Sequence, residues 1–157
     1  MPKNAKAAGQ PPSPGRRLNL SVQYACKDPA LPSRPLIRRW VRASVDGAAE
    51  VTVRFVEAEE GRLLNRNYRG KDAPTNVLSF AYGTTPALAG DLVICLPVVL
   101  REAQEQGKSA EAHFAHLIVH GMLHLCGYEH ETGAADAERM EAKEQEILAR
   151  LGYPNPY

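Results

Sequence analysis

A chain of 157 residues, 44% hydrophobic and 24% charged, is long enough to bury one core and fits a single domain of ordinary size. No run approaches the roughly 18 apolar residues of a membrane span, and Met1 to Arg17 lacks the apolar stretch of a secretory signal, so a membrane protein is excluded and a cytoplasmic one expected. The net charge of +1 conceals a division: residues 1–71 carry fourteen Lys/Arg against six Asp/Glu, net +8, and residues 72–157 carry five against twelve, net −7, a pattern that fits a polyanion-binding face built mainly from the N-terminal half.

In chain order, residues 1–17 hold Pro, Gly, Lys, Ala and Ser and read as a disordered N-terminal arm, leaving 18–157 as the folded domain. Leu18 to Tyr24 alternates apolar and polar residues, the pattern of a half-buried strand. From Pro35, Leu36, Ile37, Trp40 and Val41 recur at helical spacing while Arg38, Arg39 and Arg42 share the other side, so the helix is amphipathic with a basic face. Ala48 to Val56 alternates again and is rich in β-branched residues, a second strand. A polar helix from Glu57 to about Tyr68 would set Arg62, Arg66 and Arg69 in one stripe, with Lys71 just beyond.

After Pro74, Asn76 to Tyr82 reads as a third strand. Asp91 to Leu96, nearly continuous in apolar residues, reads as a central fourth, with Gly83 to Gly90 as the connection. Pro97 opens a helix that Gly107 closes. Ser109 is a plausible N-cap for a long helix that is apolar nearly all round and therefore buried. A last helix runs from about Ala134 to Leu151, with Met140, Ile147, Leu148 and Leu151 on its buried side. The fold class is α+β: a single domain with a small mixed four-stranded sheet, about five helices packed on it, and a zincin-like metal helix. Cys26, Cys95 and Cys126 are odd in number and form no framework, which favours free thiols in a reducing compartment.

The chemistry concentrates in His120-Gly-Met-Leu-His124-Leu-Cys-Gly-Tyr-Glu-His130. Positions four apart on a helix lie about 40° apart, one turn above each other, so His120 and His124 can present two imidazoles to one ion. Gly127 allows a sharp turn that returns His130 as a third ligand. Three nitrogen ligands with a position left over is the arrangement of a catalytic zinc site. Cys126 lies roughly 240° around the helix from His120 and points away from the metal face. A purely structural histidine cluster is the competing reading, weakened because all five histidines of the chain, with His113 and His116, fall in this one region.

The spacing is also that of the long zinc motif of metzincin proteases, in which a glutamate follows the first histidine and serves as general base. Here that position is Gly121. Glu129 and Glu131 flank His130 without the helical register beside His120 that such a base uses. A metal can still polarise an oxygen and lower the pKa of bound water. A phosphodiester suits the site, provided a cation stands ready for the developing charge.

The histidine block, with His116-Leu-Ile-Val before it, resembles the signature of the bacterial YbeY family of rRNA maturation factors and single-strand endoribonucleases. Leu64-Asn-Arg-Asn-Tyr-Arg69-Gly-Lys-Asp72-Ala-Pro74-Thr-Asn-Val-Leu-Ser-Phe80 and Gly90-Asp91-Leu-Val-Ile agree with it, and the resemblance covers about residues 18–157. The family commonly has Asp where this chain has Glu129. The resemblance implies one Zn²⁺ on His120, His124 and His130, and Arg69 as the catalytic cation on the scissile phosphate. Arg62, Arg66, Lys71, Arg38, Arg39 and Arg42 then become candidates for tracking the RNA backbone. Asp72, Thr75, Asn76 and Ser79 either order the loop or contact substrate. His116 is read as lining or supporting the site rather than as a fourth ligand, His113 as structural or exposed, and Asp91 as a loop-to-strand residue near the cleft. The implied function is single-strand-specific, zinc-dependent RNA cleavage in rRNA maturation, at the 3′ end of the small-subunit 16S RNA, and in ribosome quality control. Implied partners are ribosomal RNA, small-subunit ribosomal proteins and an assembly GTPase. Two alternatives stay open: a ribosome-assembly RNA-binding factor with a chiefly structural zinc, and a metal-dependent hydrolase of another substrate.

Overall fold

The computed structural model describes residues 15–128 and 133–157. Along the described chain run strands β1 (Leu18–Tyr24), β2 (Ala49–Val56), β3 (Val77–Gly83) and β4 (Leu88–Cys95). The helices are α1 (Arg34–Ser44), α2 (Ala58–Arg69), α3 (Leu96–Gln106), α4 (Ala110–Leu125) and α5 (Ala134–Leu151). The sheet order is β1-β2-β4-β3, with β1, β2 and β4 parallel and β3 antiparallel to β4. Among the described residues this is the expected α+β domain with a mixed four-stranded sheet and five helices. The connection between β3 and β4 is shorter than the sequence implies. Ala89 and Gly90 pair with Glu50 and Val51 of β2, and this interior position overrides their weak strand preference.

Period-two alternation sends the strands' apolar side chains to two layers. On one face Val51, Val53, Phe55, Leu92 and Ile94 meet Ile37, Trp40 and Val41 of α1, Phe114, Ile118 and Met122 of α4, and Ile147 and Leu148 of α5. Phe55 meets Phe114 edge to face at 5.7 Å, the arrangement that aromatic quadrupoles favour. On the other face Val56, Leu78, Val93, Cys95 and Val98 form a smaller cluster covered by Leu64 and Phe80. From residue 92 to 95 strand β4 is thus buried on both faces, which accounts for the unbroken apolar run there.

The helix at the centre is α4, which contacts α1, α3, α5, β3 and β4. Ten of its sixteen residues are buried, so it has too little solvent face to be amphipathic. Ser109 caps it, Oγ accepting from the Ala112 N–H at 3.1 Å. At its far end it lies so close to β4 that a β-carbon on Gly90 would stand 2.6 Å from Leu125 Cδ2. Of the arm read over residues 1–17, residues 1–14 lie outside the described residues. Residues 15–17 run beside the β2 entry, where Ala49 N–H donates to Arg17 O at 3.0 Å and Arg16 Nη1 donates to Asp46 O at 2.8 Å.

Candidate metal centre

Helix α2 delivers Arg69 as its last residue. The chain turns left-handed at Gly70 (φ +74°), whose N–H donates to Arg66 O at 2.9 Å and closes the helix. The following loop is tied down from within α2. Buried Asn65 donates from Nδ2 to Ala73 O at 2.7 Å, and Arg62 bridges Glu59 and Asp72. Arg69 itself stays exposed at the rim.

Across from it, His120 and His124 of α4 stand one turn apart with ring centroids at 4.6 Å and planes at 83°. Their Nε2 atoms face each other at 3.1 Å. His124 Nδ1 donates to Tyr128 O at 3.0 Å, and because a carbonyl only accepts, that nitrogen carries the proton. His120 Nδ1 donates to the carboxylate of Glu144, which is fully buried on α5. In the neutral rings both Nε2 atoms therefore present lone pairs to one point, an arrangement that a cation relieves. Two nitrogens on one tetrahedral ion at 2.0–2.1 Å stand roughly 3.3 Å apart, so the observed spacing fits a shared ion.

Glu144 gathers more than one donor. Its Oε1 takes His120, while Oε2 takes His116 Nε2 at 3.4 Å and the hydroxyl of Tyr157. Burial alone would push this carboxyl up, but hydrogen bonds from His116, His120 and Tyr157 outweigh it and hold the group at about 2. The ligand atoms of His116, His120 and Glu144 lie within 4.8 Å of one another, a group with the composition to hold a metal ion. His130, the expected third ligand, lies outside the described residues, as do Glu129 and Glu131.

Arg69, His120 and His124 line a common cleft of about 720 Å³, together with Tyr68, Thr75, Asn76 and Ser79. The other expected cations are disposed elsewhere. Arg62 makes the ion pairs described above, and Arg66 and Lys71 are exposed on the same helix and loop without lining this cleft. Helix α1 packs on β1, α4 and α5, at the sheet edge remote from β3. There Arg38 donates to Leu18 O at 3.4 Å, Arg39 to Leu151 O at 3.2 Å, and Arg42 to Val45 O at 2.7 Å. Asp91 sits inside β4, where its Oδ2 accepts from Tyr82 OH at 2.7 Å, and lines a separate polar depression with Asn19 and Ser21.

His113 is 2% exposed and bonds Glu102 through Nε2 at 2.8 Å, and Glu102 in turn accepts from Asn76 Nδ2 at 3.0 Å. Asn76 is thereby held in the cleft wall from behind. Cys126 Sγ points to Ser44 O on α1, 3.9 Å away and off the metal face.

Three residues of the site escaped the sequence reading: Tyr68, Glu144 and Tyr157. Glu144 carried a signal. Met140, Ile147, Leu148 and Leu151 mark the buried stripe of α5, and position 144 falls on that stripe, where a lone acid needs a partner.

A sequence model described as endoribonuclease YbeY matches residues 33–152. Proteins called endoribonuclease YbeY from Aromatoleum aromaticum and Burkholderia lata are 60% and 55% identical to this chain over 144 and 147 residues. The alignments cover 90% and 89% of the chain and 93% and 86% of those proteins. One from Polaromonas naphthalenivorans is 54% identical, covering 89% of the chain and 96% of its own length. The solution structure of TM1509 from Thermotoga maritima shares the fold with a TM-score of 0.55, over 85% of this chain and 91% of that one, at 24% identity.

Proposed function

Because the chain belongs to the endoribonuclease YbeY family, we propose that it is a single-strand-specific, zinc-dependent endoribonuclease. Its substrate is ribosomal RNA, cut in maturation of the 16S 3′ end and in ribosome quality control. It works in the cytoplasm beside small-subunit ribosomal proteins and an assembly GTPase. Among the described residues no helix is long and apolar enough to cross a membrane. The observation that carries the reading is the pair of Nε2 atoms of His120 and His124, 3.1 Å apart in a cleft that Arg69 also lines.

His120 and His124, with His130 as the third ligand, would hold one Zn²⁺. When bound, that ion supplies Lewis acidity at an oxygen of the scissile phosphodiester. Arg69 meets the phosphate with two parallel N–H donors and shares the negative charge that builds on it. Tyr68 offers an aromatic face to an unpaired base, which a duplex would not expose. Position 121, where a zinc protease carries its general-base glutamate, is glycine, so peptide hydrolysis is not supported.

The test is metal analysis of purified protein, paired with cleavage assays on single-stranded RNA, duplex RNA and casein. One zinc per chain and cleavage of single-stranded RNA alone is the expected result. Metal-free, inactive protein defeats the proposal. Product ends decide the nucleophile: a 2′,3′-cyclic phosphate assigns it to the substrate's own 2′-hydroxyl.

A further inference from the structure

Resting on that reading of the metal site, we infer that Glu144 is not a metal ligand but the positioning residue of His120, and that Tyr157 positions Glu144 in turn. The compact group of His116, His120 and Glu144 leaves two arrangements open to choice. In one, an ion sits among these three side chains and Glu144 coordinates it. In the other, Glu144 stands behind His120 and the ion lies on the far side of the ring.

Three observations select the second. His120 meets Glu144 through Nδ1 while its Nε2 faces His124 Nε2 at 3.1 Å, so an ion shared by the two histidines is on the side of the ring away from Glu144. His120 and His124 line the cleft that holds Arg69, whereas Glu144 is fully buried and does not line it. The two oxygens of Glu144 are also divided in use. One accepts from His120 Nδ1–H, and the other accepts from Tyr157 OH and is bonded to His116 Nε2. A carboxylate anchored on one oxygen has its other oxygen aimed, and a negative acceptor at Nδ1 fixes the His120 tautomer and raises the basicity of Nε2.

Tyr157 belongs to the segment after α5, and its ring meets His116 edge-on at 5.5 Å. Among the described residues, Tyr157 joins that segment to the metal centre at Glu144 and His116. His116, likewise, bonds Glu144 instead of facing His124, which makes it a support for the carboxylate.

The experiment uses the full chain as wild type, Glu144→Gln and Tyr157→Phe, each stripped of metal, checked for native fold by circular dichroism, and titrated with Zn²⁺ against a chromophoric chelator. Removing an outer partner of a ligating histidine costs about 10–100-fold in metal affinity. That loss is expected for Glu144→Gln, and a smaller loss for Tyr157→Phe, both at unchanged stoichiometry. With Co²⁺ in place of Zn²⁺, both variants keep the wild-type visible band positions, since the ligand set is intact. Nitrogen NMR of the zinc-loaded wild type shows His120 protonated at Nδ1 and metal-bound at Nε2.

A folded Glu144→Gln variant with wild-type affinity overturns the inference, as does a Co²⁺ spectrum that reports a lost ligand or a His120 bound through Nδ1. Should Glu144→Gln fail to fold, Tyr157→Phe carries the test, because it keeps the carboxylate and removes one donor; wild-type affinity there overturns the role of Tyr157. Failure of the underlying reading is distinguishable, since then the wild type itself binds no zinc.

Discussion

Gly121 lies directly over Leu92: a β-carbon at 121 would stand 2.8 Å from Leu92 Cδ2 and 3.2 Å from Ser79 Oγ. The position where a zinc protease carries its general base is therefore the contact between α4 and the sheet. Leu92 is fully buried in the main core, so its methyl cannot swing into space. Alanine at 121 gains about 1 kcal/mol of helix propensity and loses about 1–3 kcal/mol to overpacking. Gly121→Ala should thus lower the melting temperature modestly and Gly121→Glu severely, without protease activity in either. A Gly121→Glu protein as stable as wild type would show that the packing argument fails.

Arg69 offers a cleaner separation of chemistry from stability. It is exposed at the end of α2, and the loop beyond is held by Asn65 and Arg62 rather than by Arg69. Arg69→Ala should cut RNA cleavage by about 10²–10³-fold, the usual effect of removing a group that meets transition-state charge. The melting temperature and zinc content should stay close to wild type. Arg69→Lys should recover only part of the rate, because an ammonium lacks the paired donors. Cleavage by Arg69→Ala at the wild-type rate would remove the residue from the reaction.

A pH dependence of stability belongs to His113. Burial pushes its pKa below the usual histidine value, more than the neighbouring Glu102 carboxylate raises it. The unfolded chain therefore binds this proton more readily than the folded one. Stability is full above the unfolded pKa of about 6.5 and is lost as pH falls through it, until the folded protein takes the proton too. Between pH 7.5 and 5.5, wild type should lose more melting temperature than His113→Gln in matched, metal-loaded samples. Equal slopes for the two proteins would exclude His113 as the source.

Much of this architecture is written locally. The Ser109 cap, the nearly all-round apolar α4, the β-branched alternation of β2 and the spacing of His120 to His124 each follow from residues within one turn or strand of each other, and each stands where expected. What was not legible is what the packing of elements brings together. Glu144 reaches His120 across 24 positions because α5 lies against α4, and Tyr157 reaches Glu144 because the chain after α5 folds back. A charge on the apolar stripe of α5 signals a buried partner but not which one. Gly121 was legible as a missing carboxylate; that Leu92 and Ser79 demand the vacancy needed the sheet register, which sets Ser79 beside Leu92. The α1 arginines show the reverse case. Their common face was visible in the sequence, but the carbonyls of Leu18, Val45 and Leu151 that they contact were not.

Tyr68 gives a prediction about binding apart from the cut itself. The residue is 57% exposed, its ring centroid lies 4.3 Å from that of Phe80, and it lines the cleft together with Arg69. An aromatic face supported from behind and open in front is a stacking platform, and base stacking of this kind is worth about 1–3 kcal/mol per base. Tyr68→Ala should weaken binding of a short single-stranded RNA by roughly 5- to 150-fold. Tyr68→Phe or Tyr68→Trp should retain it, since the face and not the hydroxyl does the binding. Zinc content and the rate at saturating RNA should change little, because His120 and His124 are oriented by Glu144 and the Tyr128 carbonyl and not by this ring. A salt titration separates this contact from the cationic ones: the slope of affinity against salt should survive Tyr68→Ala and flatten in Arg69→Ala, as expected when one contact is stacking and the other a phosphate pair. Wild-type affinity in Tyr68→Ala would mean that the bases pass elsewhere along the cleft.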